Sequence, residues 1–482
     1  MRHMFRSLTR IFVLLCSLFL AILPGQADPL PAEVQLALRD AGIPPEHVGV
    51  VAWPADQKRP LLAWQARQPM SPASTMKLLT SVVALDMLGP AHVWQTDILA
   101  DQTPQNGRLT GNLYLRGHGD PGLTDERLFL LVRQLRESGL REIDGDLVID
   151  ESAFDLPHSP PFDDQPWRAY NARPAATMLN FDSTRVTLGR LPSGAIDVQA
   201  NWLPPGSRII NQLTSNQDNC GDWREAIRTS WDQQQQLLTI AGNWPASCSA
   251  PAEFFLTEQQ PAALLASAFS SLWLQSGGRI GNSWREGDTP ANAILLQEFP
   301  SQPLGELLTG MNKYSNNIMA KTLWLDLANQ QPATSESAGR TVEQWLQQKH
   351  LNLPSLVTDN GSGLSRTSRI SPLDMAQLLV FASQQAWWPE LAASLPVTGV
   401  DGTMKKRTLD DKVAGHAHIK TGSLDGVKTM AGYVTLSNGR VVTVVFDIND
   451  PHASAGKAAQ DALLEWIYRH DWHPLPGECE HE

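Results

Sequence analysis

Pro72-Ala73-Ser74-Thr75-Met76-Lys77-Leu78-Leu79-Thr80-Ser81 opens an apolar run that continues to Gly89, and its reading decides the rest of the chain. The run predicts a buried helix over 75–89 closed by the glycine. Ser74 and Lys77 are three positions apart and so share one helical face. A serine alone is a poor nucleophile, and an amine held one turn away can accept its proton. Ser74 at the helix start also meets first-turn amides able to hold negative charge. A lysine acting as base must be neutral part of the time. Burial beside Met76, Leu78 and Leu79 lowers its pKa in the needed direction.

Two later stretches supply the partners such a pair needs. Ser315-Asn316-Asn317 offers a second hydroxyl for a proton relay and a side-chain amide at Asn317, expected on one helical face. Nothing hinges on Asn316. Lys420-Thr421-Gly422, on an edge strand, offers a cation, a hydroxyl and a glycine that lets substrate approach the backbone. Taken singly, these pieces also read as a helix cap, a surface lysine, a polar helix patch and a β-turn. In this order they form the signature of penicillin-recognising serine acyl-transferases.

Ser315 lies 241 positions after Ser74, with Gly117-His118-Gly119-Asp120-Pro121 and Asn360-Gly361-Ser362-Gly363-Leu364-Ser365-Arg366 among the residues that follow Ser74. With these features the chain resembles the class C low-molecular-mass penicillin-binding proteins. These are D-alanyl-D-alanine carboxypeptidase/endopeptidases of the DacB type, peptidase family S13. The resemblance implies Ser74 as nucleophile, Lys77 as base and Ser315 as a proton shuttle to the leaving amine. It implies that Asn317 contacts the substrate amide and Lys77, and that Lys420 and Thr421 bind the terminal carboxylate. Ser423 would complete an oxyanion hole, its backbone N–H joining that of Ser74. Asp150 and Phe154 fall in a segment expected to recognise the stem-peptide side chain, a plain strand end being the equal alternative for Asp150. Lys313 is expected to be exposed, and Asp120 to form a turn.

The implied substrates are peptidoglycan stem peptides and cross-links, with β-lactams as covalent inhibitors. The alternatives are a β-lactamase and a non-enzymatic wall-binding protein. Neither fits as well, since the large insertion suits a bulky polymer and the reactive residues are all present. The fold class expected is α/β (α+β): an antiparallel sheet flanked by helices, carrying a strand-rich insertion. The resemblance divides the chain into a discontinuous peptidase domain over 28–95 and 299–482 and an insertion over 96–298 holding one or two nested units. Strands from both chain ends are expected to share one sheet. Within the insertion, 109–117 and 143–150 each read as one strand, with further strands in 185–190, 196–200, 208–213 and 236–244. From Leu304 the chain reads as helical to about 350.

The 482 residues carry a formal net charge of -12. Without its three N-terminal arginines the chain would be about three units more acidic. Phosphate-backbone binding needs basic patches, so a nucleic-acid partner is not expected. Arg2, His3, Arg6 and Arg10 precede the apolar stretch Ile11–Leu23, and Gly25-Gln26-Ala27 follows it. This reads as a cleavable export signal over 1–27, the alternative being an uncleaved anchor. A periplasmic location follows from the resemblance, with at most peripheral membrane association. In an oxidising compartment Cys220 and Cys248 are the expected disulfide pair, leaving Cys479 at the tail. The cysteines lack zinc-ligand spacing. His416 and His418 share a strand face without a third ligand, so neither a metal nor a cofactor is expected.

Overall fold

The computed structural model describes residues 29–470 except 158–159, 204–205, 233, 258–259 and 408–412. The expected export segment, residues 1–27, and Cys479 lie outside the described residues. The strand Val48–Pro54 is buried at every position. Strand side chains alternate between faces, so burial throughout requires cover on both sides. Val48, Val50 and Ala52 enter one core, and Val51 and Trp53 the other. Val441–Asn449 behaves likewise, with Val442, Val444, Phe446 and Ile448 on the first side and Val445 on the second.

These two strands lie at the middle of a five-stranded sheet in the order Ala417–Leu424, Val427–Thr435, Val441–Asn449, Val48–Pro54, Leu62–Trp64. Its pairings are antiparallel, with Val48 opposite Ile448 and Lys420 opposite Ala431. Strands from both chain ends share one sheet, as expected. Helices Ala32–Asp40 and Lys457–Arg469 cover one face. Helices Lys77–Leu88, Leu304–Lys313, Asn317–Asp326, Ser335–Gln348, Pro372–Ser383 and Trp388–Ser394 contribute the core of the other.

The long segment between has its own cores. A second five-stranded sheet runs Trp284–Glu286, Leu147–Asp150, Leu113–Gly117, Gln95–Ala100, Ile294–Pro300. It packs against helices Asp125–Glu137 and Pro261–Gln275. Two three-stranded sheets from Thr184 to Leu256 enclose another core, which contains Trp223, Trp244 and Cys248. Cys220 and Cys248 form the expected disulfide there.

Three expectations are corrected. The run 109–117 is two strands, Arg108–Leu109 and Leu113–Gly117, and 143–150 is likewise Glu142–Ile143 and Leu147–Asp150. The interruptions touch: Gly145 donates its N–H to the Gly111 carbonyl at 2.9 Å. A Cβ on Gly145 would lie 2.5 Å from that oxygen, closer than packed atoms come. The stretch after Leu304 is helical as expected, in three helices broken at 314–316 and again after Asp326. Lys313 is largely buried, its ammonium 2.5 Å from the Asp401 carboxylate, because the loop at 401–402 packs over the end of its helix.

Removing the bridge with Cys220→Ser and Cys248→Ser together should cost the Thr184–Leu256 unit about 2–4 kcal/mol. Hydrogen exchange should speed up in Leu237–Asn243 and stay unchanged in Val441–Asn449. Equal acceleration in both would show that the bridge supports the whole chain.

Candidate active site

Ser74 lies in a short 3-10 turn, Ala73–Met76, that runs directly into the helix Lys77–Leu88. Ala73 takes φ 45°, a left-handed backbone that is uncommon outside glycine. Lys77, the first residue of the helix, is fully buried. Its Nζ is 3.0 Å from Ser74 Oγ and donates to Asn317 Oδ1 at 2.6 Å and to the Ser362 carbonyl at 2.7 Å. A neutral amine has two N–H bonds and one lone pair. The two carbonyl-type oxygens can only accept, so they take both hydrogens. The remaining direction, toward Ser74 Oγ, is where the lone pair falls. Burial is the largest influence pulling the Lys77 pKa far below that of an ordinary lysine, with the charges of Lys420 and then Lys321 adding to it.

Ser315 and Asn317 do not share a helical face. Helix Leu304–Lys313 ends before Ser315, which adopts φ 58°, and Asn317 begins the next helix. A three-residue break, 314–316, therefore brings them to the site. Asn316, to which no role was given, makes the break possible. Its side chain accepts from the N–H groups of Ile318 and Met319 at 2.9 and 3.1 Å, capping the new helix.

Lys420 is also fully buried. Its Nζ donates to Ser315 Oγ at 2.9 Å and to the Thr421 carbonyl at 2.7 Å. Burial lowers its pKa to about 7. Gly422 follows on the same strand, pressed against the serine turn. A Cβ there would come within 2.8 Å of Ser74 N and of the Pro72 carbonyl. Thr429, opposite Gly422 on the next strand, donates its hydroxyl to that carbonyl at 2.8 Å. Ser423, next along, is exposed, and its hydroxyl accepts from Lys428 Nζ at 3.2 Å.

Asp150 is not part of this group. It is 1% exposed, and its two carboxylate oxygens accept from the N–H groups of Ser152 and Thr289 at 3.0 and 2.7 Å. It clamps a strand end, and its burial there keeps it from solvent and from the serine group. Phe154 bridges to Ala333 and lines a separate cavity of about 470 Å³ with Asp326 and His118. The inserted segment that does approach the site lies further on. Leu156, Phe162 and Arg173 line a cavity of about 370 Å³ together with Lys321, Asn360 and Leu364. The Arg366 guanidinium stands over the Phe162 ring at 4.2 Å.

Sequence reasoning missed Lys321, four residues after Asn317 on the same helix; that spacing was its available signal. Burial takes its pKa to about 8 against the opposing charge of Asp359. Asp120 does form the expected turn, accepting from Gly122 N at 2.7 Å, but it is buried, and burial raises its pKa to about 6. Nearby Asp326 is also shifted upward, by burial first and then by the charge of Asp120. His418 Nδ1 is 2.9 Å from the Ala392 carbonyl, and His416 packs on Tyr468. Among the described residues no group of three or more acidic, histidine or cysteine side chains is placed to hold a metal ion. No helix among them is long and apolar enough to cross a membrane.

A serine against a buried amine, beside an antiparallel sheet covered by helices on both faces, defines a serine hydrolase. Residues 30–470 match the D-Ala-D-Ala carboxypeptidase 3 (S13) family, and the chain belongs to that family. A D-alanyl-D-alanine carboxypeptidase of Actinomadura sp. (strain R39) is 29% identical, over 93% of this chain and 86% of that protein. The D-alanyl-D-alanine carboxypeptidase DacB of Haemophilus influenzae is 26% identical, over 84% of this chain and 85% of that one. A crystal structure of penicillin binding protein 4 (dacB) from Haemophilus influenzae superimposes with a TM-score of 0.77 at 25% identity, covering 91% of this chain and 99% of that chain.

Two measurements test the geometry. Gly422→Ala should push the strand off Ser74 and slow acylation of the serine by about a hundredfold, with the fold intact by circular dichroism. Unchanged acylation would mean that the contact with Ser74 N is not needed. Lys420 tests the effect of burial. Its folded pKa of about 7 lies below the ordinary 10.5, so between those values the unfolded chain binds a proton that the folded chain does not. Stability should therefore rise with pH from about 7 to about 10, by at most about 1.4 kcal/mol per pH unit for this residue. Lys420→Met should flatten that rise in chemical-denaturation curves, and an identical slope in the variant would contradict the assignment.

Proposed function

We propose that this chain is a serine DD-peptidase that cleaves the D-alanyl-D-alanine bond of peptidoglycan stem peptides and D-alanyl-diaminopimelate cross-links. The observation that carries the reading is the Lys77 amine, buried, fixed by two acceptors and facing Ser74 Oγ. Ser74 Oγ attacks the carbonyl carbon of the penultimate D-alanine while its proton passes to Lys77. The oxyanion gathers the backbone N–H groups of Ser74 and Ser423. Collapse breaks the C–N bond. The leaving nitrogen takes a proton relayed through Lys77 and the Ser315–Lys420 pair, and an ester on Ser74 remains. Water, losing its proton to the same network, hydrolyses the ester and restores the serine.

Asn317 holds Lys77 through its carbonyl oxygen, which leaves its amide N–H groups for the substrate carbonyl. Lys420 and Thr421 address the terminal carboxylate. A free D-alanine leaving group makes the reaction a carboxypeptidase step; a neighbouring stem peptide makes it an endopeptidase step. A β-lactam enters by the same attack, with its carboxylate in the same place, and leaves a slowly hydrolysed acyl-enzyme. Residues 1–27 direct export, and the mature chain works in the periplasm of a Gram-negative cell. The division into a discontinuous peptidase domain over 28–95 and 299–482 and an insertion over 96–298 belongs to the same proposal, supported by their separate cores.

Incubation with benzylpenicillin should add one covalent adduct, mapped to the peptide containing Ser74, and Ser74→Ala should abolish it. Lys77→Ala should stay folded yet lose acylation by a factor of at least about a hundred. An adduct persisting in Ser74→Ala would move the nucleophile elsewhere. Digestion of purified muropeptides, following D-alanine release and monomer release separately, then divides the two activities.

A further inference from the structure

The segment Pro396–Met404 does more than connect a helix to the Lys420 strand. It first runs beside the start of that strand: the Ile419 N–H donates to the Pro396 carbonyl at 2.8 Å and the Thr398 N–H to the Ala417 carbonyl at 3.0 Å. It then turns sharply. Asp401 holds the turn with one carboxylate oxygen, accepting from the Val397 N–H at 2.9 Å. The other oxygen takes the Lys313 ammonium at 2.5 Å. Gly402 sits so close to the helix end that a Cβ would lie 2.7 Å from the Lys313 carbonyl. The turn is thus locked to the helix that ends just before Ser315.

The next residue is Thr403. Its hydroxyl oxygen is 2.7 Å from that of Thr421. Thr403 is exposed and Thr421 half-buried, so the pair faces the open side of the site. A hydroxyl carries one proton and accepts on its lone pairs. With no ligand bound, Thr421 can give its proton to Thr403. Once Thr421 donates to a ligand carboxylate, its oxygen can accept a hydrogen bond from Thr403. Donors in such a chain strengthen one another. Thr403 therefore supports the one orientation of Thr421 that a carboxylate requires, and Lys313–Asp401 fixes it relative to Ser315 at the same time.

We propose that Thr403 is a positioning residue that favours substrates ending in a free carboxylate, by orienting the Thr421 hydroxyl toward that group. The proposal rests on the DD-peptidase reading above. It makes the Asp401-Gly402-Thr403 turn part of specificity and not merely a connector.

The test compares wild type, Thr403→Ala, Thr403→Ser, Thr421→Ala and the Thr403→Ala/Thr421→Ala double variant. Each is assayed on a diacylated peptide ending in D-alanyl-D-alanine and on its C-terminal amide, with thermal midpoints measured alongside. Loss of one hydrogen bond that supports a charged acceptor predicts about a tenfold fall in kcat/KM for Thr403→Ala on the free acid, carried mainly by KM. The amide should change less than about twofold, and Thr403→Ser should recover most of the loss. In the Thr421→Ala background, removing Thr403 should cost nothing further on the acid. Equal losses on acid and amide, additive losses in the double variant, or a serine variant as poor as alanine would each overturn the proposal. Wild type that neither cleaves the acid nor forms a Ser74 adduct would overturn the underlying peptidase reading, and this proposal with it.

Discussion

A buried amine is costly unless its hydrogens are satisfied, and the arrangement around Ser74 meets that constraint for Lys77. Asn317 and Ser362 offer only lone pairs to it. They thereby fix where its hydrogens point, and so where its lone pair points. The acceptors aim the amine, while burial and the nearby lysine charges lower its pKa. The residues that do this come from three separate parts of the chain, so the whole helical face of the central sheet must assemble before the amine is set. Lys420 repeats the pattern one strand away, buried and donating to Ser315 and to a backbone carbonyl. The charge of Lys420, and after it that of Lys321, opposes protonation of Lys77.

Local backbone conformation carries part of this assembly. Ala73 and Ser315 both occupy left-handed backbone, an arrangement that costs on the order of 1–3 kcal/mol when held away from glycine. Each directly precedes or forms a polar element of the site. The surrounding packing offsets that cost: Gly422 presses on the serine turn, Asn316 caps the helix after Ser315, and Lys313–Asp401 ties down the helix before it. The strand bearing Lys420 gains a further partner in the Pro396–Met404 segment, which joins the serine break and the strand into one frame.

Much of this was legible in the chain. The near-continuous apolar runs 48–53 and 441–446 and the apolar stretch after Ser74 encode the central sheet and its covering helices, because burial on two faces leaves a plain hydrophobic trace. The motif residues Ser74, Lys77, Ser315, Asn317, Lys420, Thr421 and Gly422 were likewise visible as residue types in a fixed order. So was the cysteine pair, through compartment and count. These features are local, and local spacing reports them directly.

What the sequence could not hold was the meeting of distant backbone. Spacing placed Ser315 and Asn317 on one helical face, yet a break between two helices delivers them, and only the Asn316 cap explains why the chain breaks there. Asp150 fell in a segment expected to recognise the stem-peptide side chain, but it is buried and clamps a strand end through two backbone N–H groups. The strands at 109–117 and 143–150 break where Gly111 and Gly145 touch across a pair, a contact between residues 34 positions apart. Lys313 was expected to be exposed and is largely buried against Asp401; the Thr403 hydroxyl, which no local spacing singles out, lies 2.7 Å from that of Thr421. Residue type and period are written along the chain. The partner that satisfies a buried polar group is decided by folding, since such partners lie far off in sequence and only the packed structure brings them into reach.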